Sequence, residues 1–239
     1  MPEPARPMST STESRRAAAL YRLLAWLSPG FPVGAFSYSH GLEAAAAAGT
    51  VRDRATLQGW IAAIVAQGSG RIDADILCHA YRAAEAHDLA ALDAANRRGL
   101  AYRGTAELAL EASQQGDAFL ATCLAAWPDR RLAEWAASAH GVCQGAAFGV
   151  AAACAGIALD DALLGYLHAF AANLMSAGLR LGLIGQTDGQ RILAALEPAI
   201  TRAAEAAKTR DPADFGAATF AVDLFSMAHE TQYTRLFRS

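Results

Sequence analysis

Six histidines and four cysteines have the most chemistry to offer in this sequence, and their spacing limits what that chemistry can be. His40, His79, His87, His140, His168 and His229 include no pair at i, i+4 and no HExxH, so no one helix presents two imidazoles to a zinc ion. Cys78 and His79 are adjacent, which on a helix turns their side chains about 100° apart and spoils them for chelation. Cys78, Cys123, Cys143 and Cys154 contain no CxxC and match neither a disulfide framework nor a zinc ribbon, so they read as scattered buried thiols. There is no GxSxG to raise a serine nucleophile and no GxxxxGK[ST] to cradle a nucleotide. The expectation is a chain with no catalytic residue, no resident metal and no permanently bound cofactor.

Three polar or aromatic clusters stand out instead. SPGFPVGAFSYSHGLEAAAAAG (28–49) joins an apolar, turn-prone half to a run of alanines. Its prolines and glycines put Phe36 and Tyr38 on a rigid turn with Glu43 on the helix that follows, and aromatics on a preorganised turn make good partner anchors. Tyr38, His40 and Glu43 are therefore expected to form part of a partner-binding or metal-passage surface. The plainer reading, that Phe31 and Phe36 plug the core, stands beside it. IGQTDGQR (184–191) reads as a helix–helix turn in which Thr187 or Asp188 caps the next helix. SMAHETQYTRLFRS (226–239) alternates Arg235 and Arg238 with Tyr233, Leu236 and Phe237, a composition suited to a surface that another molecule covers, or to docking on its own domain.

The elements that must position these clusters are helical. The chain has 239 residues, 54% hydrophobic and 18% charged, enough for one large domain with a sizeable core and too apolar for disorder. A net charge of -3 and a pI near 6.1 leave no basic footprint for nucleic acid or anionic lipid. Arg15-Arg16 before AAAL has the look of a twin-arginine signal, but Arg22 interrupts the apolar run. The uncharged stretch 136–159 is built from Ala and Gly with His140 and Gln144 inside it, and is read as a soluble core helix rather than a membrane span. Gly141, Gly145, Gly149 and Ala153 recur every four residues there, a row that implies close packing within the domain or a homodimer seam.

Helical periodicity recurs over 15–27, from Asp53 to Gly68-Ser69-Gly70, and over 72–86, 89–98, 105–127, 132–138 and 141–155. It continues in a strong helix opened by Asp160-Asp161, in 188–208 bent near Pro198, and in 215–229. No run of β-branched residues alternates with period two, and no 34-residue repeat is present. The fold class is all-α: a single-domain helical bundle of roughly ten helices without a sheet, with 1–14 as a disordered tail, 15–230 as the domain and 231–239 as a C-terminal partner-binding tail.

PVGAFSYSHGLE, GQTDGQRILAALEP and HETQYTRLFRS, in that order, resemble the three signature stretches of the urease accessory protein UreF family, and the likeness runs from about Leu23 to Ser239. The departures are modest: Ala35 stands where glycine is frequent, and the segment after His140 is glycine-rich where a proline and larger apolar residues are expected. The resemblance implies an all-helical, dimeric, cytoplasmic protein without chemistry of its own. Such proteins bridge a UreD/UreH-type accessory protein and the UreG GTPase on the urease apoprotein, supporting GTP-dependent assembly of the dinuclear nickel centre. Nickel and GTP are thus handled by the complex. The candidate partner-binding residues are Phe36, Tyr38, His40, Glu43, Arg180, Gln186, Thr187, Gln190, Glu230, Gln232, Tyr233, Arg235, Phe237 and Arg238. From the residues alone, a helical enzyme gathering His40, Glu43 and His229 is the competing reading.

Overall fold

Capping and glycine chemistry set most of the helix boundaries. The structure, a computed structural model, describes residues 9–239. Helix α1 (Ser9–Trp26) starts earlier than the periodicity predicts. Of the tail expected over 1–14, positions 1–8 lie outside the described residues, and the rest form the first turns of α1. The face α1 buries carries Ala19, Leu23 and Trp26, while Leu20 and Leu24 of the predicted apolar stripe are exposed. After a loop with one 3-10 turn (Ala35–Ser37) come α2 (Leu42–Ala47) and α3 (Arg54–Gln67). Asp53 caps α3 as expected: its carboxylate accepts from Thr56 N at 2.9 Å, and Thr56 Oγ1 accepts from Asp53 N at 3.1 Å.

Helix α4 (Ser69–Glu85) follows with no loop beyond Gly68, where a Cβ would come within 3.0 Å of Ile64 Cα; the predicted stop at Gly68-Ser69-Gly70 is a corner of one residue. The next elements are α5 (Leu89–Ala101), α6 (Ala106–Ala126) capped by Thr105, and α7 (Arg130–Ser138) capped by Asp129. Helix α8 (Gln144–Ala155) ends at left-handed Gly156. Helices α9 (Leu159–Arg180), α10 (Gln186–Thr209) and α11 (Phe220–Glu230) complete the chain. Eleven α-helices and no strand are present among the described residues, so the all-α single-domain expectation holds. Gly185, not Thr187 or Asp188, occupies the N-cap of α10, and Asp188 instead pairs with Arg191 at 3.0 Å. Helix α11 begins five residues later than predicted.

The core is organised around α4, which packs against α3, α5, α8, α9 and α10. Its crossing with α8 is close enough to exclude side chains. A Cβ on Gly145 would sit 2.8 Å from Asp73 O, and one on Gly149 only 2.5 Å from Leu77 O, so bare backbone is what lets the helices meet. The glycine row is therefore an internal crossing and not a dimer seam. Gly141 does not belong to it, lying in the preceding turn at φ +74°. Stretch 136–159 is thus the end of α7, a turn and the short α8. By length and composition α9 could cross a membrane, but half of its most apolar window is buried in the fold, and Tyr166 within it reaches Asp73 at 3.1 Å.

Candidate functional site

The turn-rich segment 28–41 brings the signature residues together. Gly34 and Gly41 take left-handed backbone (φ +75° and +74°), and His40 does so without glycine's freedom (φ +59°). At Gly41 a Cβ would lie 3.0 Å from Ser226 N and 3.2 Å from Val222 O, so α11 crosses directly over this turn. That crossing places His229 of α11 beside Glu43 of α2. Helix α6 supplies Glu107 and Glu111 from the opposite side, at i, i+4 on one buried face.

The C-terminal segment lies in the resulting cradle. Glu43 Oε1 accepts from Leu236 N at 2.7 Å and Glu43 Oε2 from Phe237 N at 2.9 Å. His229 bridges two carboxylates, with Nε2 3.0 Å from Glu43 Oε2 and Nδ1 2.8 Å from Glu107 Oε2. Arg235 closes the row on Glu107 Oε1 at 3.1 Å. The ring nitrogens of His229 thus stand between the two carboxylates, and Arg235 and the amides of Leu236 and Phe237 supply the remaining donors to them.

A second row joins the extreme residues. His40 Nδ1 is 3.1 Å from Glu111 Oε2 and its Nε2 2.8 Å from Ser69 Oγ. Ser239 Oγ donates to Glu111 Oε2 at 3.0 Å. Ser39 N donates to Ser239 O at 2.9 Å, the Ser39 hydroxyl donates to the same carbonyl, and Arg238 N donates to Ser37 O at 2.8 Å. Between loop and segment, the Arg180 guanidinium is stacked 4.1 Å from the Phe36 ring and 4.3 Å from the Phe237 ring, and donates to the Phe36 carbonyl. Burial lowers the Arg180 pKa from its ordinary value. Tyr38 donates to Gln114 Oε1, and burial, the largest influence on its hydroxyl, raises its pKa.

These positions revise the sequence expectations. Tyr38, His40 and Glu43, expected at the surface, are buried because α11, α6 and the segment's own backbone cover them. Of the two phenylalanines offered as core plugs, Phe31 is buried against Phe119, whereas Phe36 is 68% exposed with its ring on Arg180. Tyr233 is fully exposed, Phe237 is 4% exposed, and Glu230, Arg235 and Arg238 face solvent beyond the contacts described. Gln232 is half-buried and donates to Thr234 O at 2.8 Å. Gln186, Thr187 and Gln190 are exposed on the first turns of α10, and the structure gives them no hydrogen bond to the C-terminal segment. Sequence reasoning missed Glu107, Glu111, Ser39 and Ser239. The available signal was a pair of glutamates four apart flanked by Leu108 and Ala112, which puts acids on an otherwise apolar face.

Of the three residues an enzyme reading would gather, Glu43 and His229 are in contact, while both ring nitrogens of His40 are taken by Glu111 and Ser69. All three are buried, His229 at 0% exposure, which leaves a substrate no access to them. Among the described residues no group of three or more His, Cys, Asp or Glu side chains is placed to hold a metal ion.

The UreF family model matches residues 51–197. The chain belongs to the UreF family. It is 51% identical to the urease accessory protein UreF of Granulibacter bethesdensis, an alignment covering 95% of this chain and 97% of that one. It is 47% identical to the UreF of Rhodopseudomonas palustris strain BisB18, covering 97% and 100% of the two chains. It is also 47% identical to that of Bradyrhizobium sp. strain ORS 278, covering 93% and 92%. The first and third signature stretches lie outside the matched segment and the second lies inside it but for its last residue, so the 28–43 loop and the C-terminal segment rest on the full-length relatives.

Proposed function

We propose that this member of the UreF family is a non-enzymatic cytoplasmic assembly factor for urease, a homodimer that bridges a UreD/UreH-type protein and the UreG GTPase on the urease apoprotein. In this role it supports the GTP-dependent loading of nickel, which passes to urease as cargo, and modulates the GTPase. The observation that carries the reading is an uncovered apolar surface beside the docked C-terminal segment. Phe220, Leu224 and Met227 form an i, i+4, i+7 stripe along α11, and each is about half exposed or more. Leu236 and Tyr233, next in the chain, are exposed as well. A stripe of this kind beside exposed aromatics has the composition of an interface core.

The test is co-expression with the UreD-type and UreG-type proteins, followed by sizing with light scattering. The intact chain should enter a complex with two copies of each protein, and a chain lacking Tyr233–Ser239 should fail to retain the UreD-type protein while keeping its own dimer. A truncated chain that still co-elutes with the UreD-type protein sinks the assignment of the tail. An intact chain that stays monomeric and alone sinks the bridging role.

A further inference from the structure

Two kinds of contact hold the C-terminal segment, and they act on different parts of it. Phe237 anchors by its side chain, stacked on Arg180. The acidic row grips the main chain and one cation: Glu107 holds Arg235, and Glu43 holds the amides of Leu236 and Phe237, three consecutive residues on one Glu107–His229–Glu43 row. Two consecutive N–H groups aimed at one anion impose a local turn and send the two side chains different ways. Here Phe237 goes inward, at 4% exposure, and Leu236 outward, at 62%.

We propose that Glu43, tied to Glu107 through His229, is the positioning group that fixes the register of the C-terminal segment and so decides which of its side chains a partner meets. The inference rests on the reading of this segment as a partner-binding element. With Glu43 holding the Leu236 and Phe237 amides, Arg235 falls on Glu107 and the Phe237 ring on Arg180. A slip of one residue on the same carboxylate loses both contacts, so the main-chain grip and the two side-chain contacts together admit one register. Glu43 touches no partner in this arrangement; it acts through the segment it holds.

The experiment uses the full-length chain and Glu43→Gln. A glutamine keeps the shape but opposes an NH2 group to an incoming amide or to the His229 N–H. Hydrogen exchange of the peptide spanning 231–239 should accelerate by about tenfold or more, while peptides from α3, α4 and α8 keep their wild-type exchange. Capture of the UreD-type partner should weaken by a similar factor. Arg235→Gln, at the exposed end of the row, should give a smaller acceleration in the same peptide, and it carries the test if Glu43→Gln fails to fold. Unchanged exchange in the variant that folds overturns the latch. Faster exchange with undiminished capture overturns the positioning role. If the wild-type chain captures no partner, the proposed function falls, and the exchange data alone decide the latch.

Discussion

His229 sits where removal of one ring leaves two carboxylates facing each other without a donor between them. Buried charge left unpaired costs about 3 kcal/mol or more, so His229→Ala should lower Tm by roughly 6–12 °C for a chain of this size, measured by calorimetry. A drop of a degree or two would mean that water enters the row and that its burial matters little. The cysteines make the opposite case, of groups held inert by burial. Desolvation pushes Cys123 up to about 12 and Cys143 and Cys154 to about 11. At pH 8 the thiolate fraction is then minute, and Cys123 and Cys143 are also out of reach. A thiol reagent at pH 8 should modify the native protein slowly, at half-buried Cys154 first, and all four thiols once guanidinium is added. Rapid native labelling of Cys123 would contradict the packing around it. Because these values lie above that of an exposed thiol, stability is full below about pH 9 and is lost as the pH rises through 11.

At the level of elements, the α4–α8 crossing is set by what is missing from α8. Gly149→Ala must push a methyl group into the Leu77 carbonyl, which calls for a shift of one helix against the other. A loss of about 1–3 kcal/mol follows, checked by denaturant unfolding of the variant; a neutral or stabilising result would show that the two helices can part at no cost. This crossing also shows what local sequence can convey. Asp53, Thr105 and Gly156 each mark a boundary through bonds made within a few residues, so those boundaries were legible, whereas α7 begins at Arg130 behind its Asp129 cap, two residues before the expected Leu132. The partner of the glycine row was not, because Leu77 and Gly149 are brought together only by the fold. The acidic row was less legible still. Glu107 and Arg235 are 128 positions apart, and nothing near either residue announces the other. Tyr38, His40 and Glu43 were noticed for their types, and their burial depended on α11 and the C-terminal segment lying over them.

For the whole molecule the unfinished part is the surface. Most of the core is closed, yet Phe220, Leu224 and Met227 remain uncovered on a helix whose other face crosses Gly41. Leu224→Asp should leave Tm within a few degrees of wild type, since the side chain is already half in water. It should also reduce self-association of the lone chain in light scattering and weaken capture of the UreD-type protein. Unchanged capture would move the interface elsewhere. The helical class and the family signatures were readable from composition, period and motif. Which surface stays open was not, because exposure belongs to the assembled fold.

The bond from Ser39 to Ser239 closes a ring of 200 residues. Closing so long a ring is entropically expensive and slow unless the intervening chain is already compact. An order of events follows: the two far ends of the ring meet on a body already built. Contacts formed after the rate-limiting step govern how fast a structure comes apart far more than how fast it assembles. The C-terminal segment is thus a late clasp, and loosening it changes the lifetime of the finished molecule while leaving the speed of its making almost untouched.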